Sequence, residues 1–141
     1  MADCILHEMG HVIGLNQYSW ESTGILKIRD DGRKVLSGLK CRAACGNIMD
    51  SAPVDVPLFI LDNYQHIDEA SFSNEIMSPG ISTAGNLLSE LTGAILEDMG
   101  YTVDYENIDQ GTIIRSDGAE FGLHGFICGL PSEKPEGSPQ V

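Results

Sequence analysis

Ala2-Asp3-Cys4-Ile5-Leu6-His7-Glu8-Met9-Gly10-His11-Val12-Ile13-Gly14 stands near the start of the chain and decides how the rest of it reads. Ile5, Leu6, Met9, Val12 and Ile13 recur at helical spacing, and Gly14 sits where a helix C-terminus favours glycine. The pattern predicts a helix over residues 2–13. Four residues along a helix amount to about 400° of rotation, so His7 and His11 emerge within roughly 40° of each other and about 6 Å apart along the axis. Two imidazoles so placed can share one tetrahedral metal at about 2.0–2.1 Å each. Glu8 points to the side of this pair, placed to touch a metal-activated water rather than the metal. Zinc lowers the pKa of its water to about 7, and a carboxylate can take that proton and hand it to a leaving amine. A bare His-Glu-x-x-His also occurs by chance on helix surfaces. The strongly apolar helical context ending in Gly14 favours the metal reading here.

A catalytic zinc takes a third protein ligand and keeps one position open. Four residues come into question. Gln17 stands where a compact His-Glu-x-x-His-x-x-Gly-x-x-His motif would put its last histidine, but glutamine is a poor zinc ligand. Glu75, in Asn74-Glu75-Ile76-Met77-Ser78, superficially matches the Asn-Glu-x-x-Ser pattern of thermolysin-like enzymes. That pattern needs a helix, and Pro79-Gly80 argues against one. His124 lies in a Gly-rich region without recognisable context. His66 is the fourth, followed eleven residues later by Met77 in its Pro-Gly turn.

His66-Ile67-Asp68-Glu69-Ala70-Ser71-Phe72-Ser73-Asn74-Glu75-Ile76-Met77-Ser78-Pro79 resembles the third-ligand and Met-turn region of leishmanolysin-like metalloproteases, a branch of the metzincins. In that family an insertion separates the glycine of the compact motif from the third histidine. Gly14 matches the glycine, residues 15–65 the insertion, and His66 the displaced ligand. Met77 matches the methionine that forms an apolar floor beneath the metal. Leu87 to Tyr101 resembles the family's closing helix. Asn47-Ile48-Met49-Asp50-Ser51-Ala52-Pro53 looks like a second such turn. Gly38, not a histidine, stands at the matching offset before it, so Met49 reads as a loop or core methionine.

The resemblance covers roughly residues 2–107. It implies an α+β fold of metzincin-like (zincin) type: active-site helix, long loop insertion with a hairpin, Met-turn and closing helix. It also implies that the N-terminal sheet subdomain, whose edge strand pairs with extended substrate, is missing, so residues 1–107 form the C-terminal portion of the catalytic domain. Residues 108–141 form an extension. The implied activity is zinc-dependent hydrolysis of internal bonds in a peptide or protein substrate, with one Zn2+ on His7, His11 and His66 and Glu8 as general base and then acid. Two rival expectations stand beside it. One is a thermolysin-like peptidase with Glu75 as third ligand, and the other is a zinc-binding remnant without turnover. A secreted or cell-surface location follows from the family alone.

Composition narrows the partners. The 141 residues carry 8 Lys and Arg against 21 Asp and Glu, a net charge of −13. Such a chain repels phosphate backbones, which argues against nucleic acid. No apolar run is long enough to span a bilayer, and the first residues do not read as a signal peptide. Cys4, Cys41, Cys45 and Cys128 permit two disulfides of unknown pairing. Cys41 and Cys45, in a stretch that reads as loop, make a poor zinc knuckle because no second Cys/His pair follows, so they read as a local disulfide or as two ends of longer bridges.

Elsewhere the pattern is coarser. Residues 15–75 read as mostly irregular, apart from a hairpin in which 25–29 and 34–36 flank Asp30-Asp31-Gly32-Arg33. Residues 75–80 read as a turn. A helix is expected over 90–99, with Ser89 as N-cap and Gly100 at its end. Tyr101, Val103 and Tyr105 alternate like a short strand. Trp20 reads as packing under the insertion, and Tyr64, Tyr101 and Tyr105 as core or surface packing, although a tyrosine hydroxyl could in principle stabilise an oxyanion. Residues 131–141, rich in Pro, Glu, Ser and Gly, read as a disordered tail.

Overall fold

Gly38 and Asp98, sixty residues apart, show how the body of the protein is tied together. Gly38 is the N-cap of helix α3 (Leu39–Met49) and has no side chain with which to cap it. The cap comes instead from Asp98, the last residue of helix α4 (Glu90–Asp98). Its carboxylate accepts from the backbone N–H of Lys40 at 2.9 Å and of Cys41 at 2.7 Å, where a helix N-terminus favours negative charge. A Cβ on residue 38 would come within 2.2 Å of the Asp98 carboxylate, so only glycine fits. With this tie made, α3 packs along α4.

This computed structural model describes residues 2–82 and 84–114. His124, Cys128 and the tail expected over 131–141 lie outside them. The fold is α+β. Helix α1 (Ala2–Val12) comes first, then helix α2 (Gln17–Ser22), which Asn16 caps by accepting from the Ser19 N–H at 2.9 Å. The expected hairpin follows as β1 (Leu26–Ile28) and β2 (Lys34–Leu36), antiparallel, with Leu26 opposite Leu36 and Ile28 opposite Lys34. Gly32 takes φ +87° in the turn between them, the conformation a tight turn asks of glycine. After α3, β3 (Val56–Pro57) adds to the open side of β2, giving the order β1-β2-β3.

Three expectations are corrected. Residues 15–75 hold two helices, α2 and α3, that the reading of a single hairpin among irregular chain did not include. Cys41 and Cys45 are not a loop disulfide. Both are free, buried thiols one turn apart on α3. Burial raises both, Cys45 to about 12, which keeps them protonated and inert. Cys4, by contrast, is disulfide-bonded. Finally, Tyr101, Val103 and Tyr105 form no strand, and Tyr105 instead opens a 3-10 turn, Tyr105–Asn107.

Trp20, Leu36, Val56, Phe72, Ile76 and Leu91 lie at the centre of the core, and Met49 packs at its edge as a core methionine should. Helix α1 is the exception. The apolar stripe that announces it in the sequence faces outward: Ile5 and Met9 are each 56% exposed and Val12 84%. The residues it buries are His7 and Gly10. An apolar cavity of about 160 Å³ runs along its flank between Leu6, Gly10 and Ile13 on one side and Met77 and Leu96 on the other. Among the described residues, no helix is long and apolar enough to cross a membrane.

Candidate metal centre

His7 and His11 occupy successive turns of α1, as the sequence leads one to expect. The Tyr101 hydroxyl donates to the Ile13 carbonyl just past the helix end at 2.6 Å. The chain then reverses at Gly14, whose φ of +117° needs glycine, and the Leu15 N–H returns to the Gly10 carbonyl at 2.9 Å. That reversal turns the Leu15 carbonyl back onto the helix, where it accepts from His11 Nδ1 at 2.7 Å. His7 Nδ1 donates to the Ile76 carbonyl at 2.6 Å. His66 Nδ1 donates to the Asp62 carboxylate.

All three partners are acceptors only, so all three Nδ1 atoms carry the proton and each Nε2 presents a lone pair. Those lone pairs converge. The separations are 3.0 Å for His7 and His66, 3.1 Å for His7 and His11, and 3.1 Å for His11 and His66. Three lone pairs at such distances repel one another unless a cation lies among them. Protonating the rings is a poor remedy, because burial disfavours the charge: it lowers His7 to about 4 and lowers His11 as well. The triangle fits a metal. Donors about 2.0–2.1 Å from a tetrahedral zinc lie about 3.3–3.4 Å apart, close to the spacing found, and three of them leave one position free. Among the described residues, His7, His11 and His66 are the group able to hold an ion.

Glu75 goes elsewhere. Its carboxylate, fully buried, accepts from the Met77 N–H at 2.7 Å and from the hydroxyls of Ser89 and Thr92 at 2.6 Å each. It lies in an isolated bridge with Leu87, not on a helix. Glu75 is therefore a brace between the Met77 turn and the start of α4. Asn86 and Ser78 complete that brace. The Asn86 amide donates to the carbonyls of Glu75 and Gly80 at 3.0 and 2.9 Å, and the Ser78 hydroxyl lies within 3.0 Å of the Glu75 carbonyl. The braced turn does two things for the site. It aims the Ile76 carbonyl at His7, and it seats Met77, 2% exposed, beneath α1. Gly10 makes the seat possible, since a Cβ there would lie 2.7 Å from the Met77 sulfur.

His66 is held differently. It follows a 3-10 turn, Ile60–Asp62, and two residues at positive φ, Asn63 and Tyr64, both at 65°. For a bulky residue such as Tyr64 that conformation costs of order 1–3 kcal/mol and persists only where the surroundings impose it. Here they do. The Tyr64 N–H donates to the Phe59 carbonyl at 3.1 Å, the Gln17 amide donates to the Asn63 carbonyl at 3.0 Å, and Lys34 lies over the Tyr64 ring. Gln17 thus supports the ligand loop and is not itself a ligand. Glu8 sits partly buried beside the histidines, close enough that its charge acts on His11. Tyr101 and Tyr105 are committed to Ile13 and to Glu97, which leaves neither hydroxyl for an oxyanion.

The structure brings together His7, His11, His66 and Met77, with Glu8 alongside. The sequence reading missed Asp62, Gly10 and the carbonyls of Leu15 and Ile76. Only Asp62 offered a signal, a carboxylate four residues before a candidate ligand. Comparison with protein-family models and with curated proteins finds no match for this chain.

Proposed function

We propose that the chain carries the zinc centre of a metalloendopeptidase, metzincin-like and similar to the leishmanolysin-like enzymes. The observation that carries the proposal is the convergence of three Nε2 lone pairs at 3.0–3.1 Å, each fixed by an acceptor at Nδ1. A Glu directly after the first ligand and a buried methionine below the helix add to it. Zinc, when bound, supplies Lewis-acid chemistry, polarising a peptide carbonyl and making water acidic enough to lose a proton near neutral pH. His7, His11 and His66 hold the ion and remain neutral. The Glu8 carboxylate takes the proton from the attacking water and returns it to the departing amine. Met77 gives the site an apolar floor.

The substrate is a peptide or protein. The net charge of −13 disfavours nucleic acid. A secreted or cell-surface setting belongs to the same proposal, and the disulfide at Cys4 suits an oxidising compartment. A second reading, zinc binding without turnover, is favoured by the outward-facing Ile5, Met9 and Val12, which leave α1 uncovered.

Cleavage of a fluorogenic peptide by the zinc-loaded chain, beside its Glu8→Gln form, separates the two. We expect Glu8→Gln to keep its zinc and lose about 10²–10⁴-fold in turnover. One zinc per chain with no Glu8-dependent cleavage in the unaltered protein would leave the non-catalytic reading standing.

A further inference from the structure

The three histidines differ in what holds them. His7 and His11 give their Nδ1 protons to backbone carbonyls, which are neutral and fixed by the chain. His66 gives its proton to a side-chain carboxylate. His7 and His11 also ride on a regular helix, whereas His66 leaves a turn in which Asn63 and Tyr64 sit at positive φ.

We propose that Asp62 is the positioning residue of this centre and sets its affinity for a divalent metal through His66; this rests on the metal reading above. Asp62 is built for the task. One carboxylate oxygen accepts from the Gln65 N–H at 3.2 Å and fixes the turn, while the other accepts from His66 Nδ1 and fixes the ring. The pair is shielded, with side-chain exposures of 26% for Asp62 and 13% for His66, so the carboxylate charge is only partly screened. Holding the proton on Nδ1 keeps the Nε2 lone pair free, and the negative charge makes that nitrogen a stronger donor. Asp62 contributes an anionic partner to a centre whose protein ligands are all neutral.

The test is Asp62→Asn, which keeps an oxygen able to accept from Nδ1 and removes the charge. Zinc affinity is measured on the full chain by competition with a chromophoric chelator, and the visible spectrum of the Co2+ form reports ligand geometry. Asp62→Asn is expected to weaken zinc binding about 10–100-fold, to lower the urea midpoint of the zinc-free protein only slightly, through loss of the acceptor for the part-buried Gln65 N–H, and to retain a tetrahedral Co2+ spectrum. Asp62→Glu, which restores the charge on a longer arm, is expected to recover part of the loss. Equal zinc affinity in Asp62→Asn and the unaltered protein would overturn the role of Asp62, and so would equal losses in the Asn and Glu variants. An unaltered chain that binds no zinc would instead overturn the metal reading on which it rests.

Discussion

The Met77 turn and the His66 loop sit on two sides of the same histidine triangle and are stabilised in opposite ways. The turn is buried and cross-braced by the Glu75 carboxylate, the Asn86 amide and the Ser78 hydroxyl. Every brace acts whether or not a metal is present. The loop is partly exposed, carries Asn63 and Tyr64 at positive φ, and fixes the ring of its ligand through the carboxylate of Asp62. The difference separates two quantities that are easily confused. The turn serves the stability of the fold, and through it the position of His7. The loop serves the affinity of the site.

The sharpest way to break that distinction is Glu75→Ala. It strands the Met77 N–H and two buried hydroxyls, and each buried polar group left without its partner costs about 1–3 kcal/mol. We expect the zinc-free protein to lose roughly 3–5 kcal/mol in urea unfolding, a range typical of breaking a buried polar network. A loss under about 1 kcal/mol would mean the turn is not held as described. Glu75→Ala and Asp62→Asn should therefore behave as opposites, one lowering the unfolding midpoint and the other the zinc affinity.

A smaller effect tests the contact between the turn and the helix. Gly10→Ala sets a methyl against the Met77 sulfur and near Leu15 Cδ1. Overpacking of this kind costs about 1–3 kcal/mol, and the cavity of about 160 Å³ beside Met77 gives its flexible side chain room to yield. We therefore expect the lower end of that range by thermal unfolding of the zinc-free protein. A neutral result would show that the floor is loosely seated.

The legible part of this protein was the part whose chemistry is local. His7, Glu8 and His11 lie within little more than one turn of one helix, and their relation follows from the helical repeat alone. Ser89 capping α4 and the Asp-Gly turn between β1 and β2 are local in the same sense. His66 needed more than spacing, because nothing local ties it to α1, and the resemblance around Met77 supplied what the periodicity did not. Helix α3 was missed although Cys41, Ala44, Cys45 and Ile48 form a helical stripe, since its small residues and two cysteines read as a stapled loop. Glu75 shows the limit most plainly. A carboxylate beside a candidate motif reads as a possible ligand until its hydrogen bonds are seen, and those come from Met77, Ser89 and Thr92. The apolar face of α1 misled in the other direction, because amphipathicity shows that a helix has an apolar face and not that this chain covers it.

The central claim is that three histidines, and no carboxylate, hold one metal. Metal analysis of the full chain after equilibration with zinc and removal of the unbound ion tests it most directly, on the unaltered protein beside His66→Ala and Glu75→Gln. The expected result is one zinc per chain in the unaltered protein and in Glu75→Gln, and essentially none in His66→Ala. Zinc retained by His66→Ala but lost from Glu75→Gln would contradict the claim and hand the third position to Glu75.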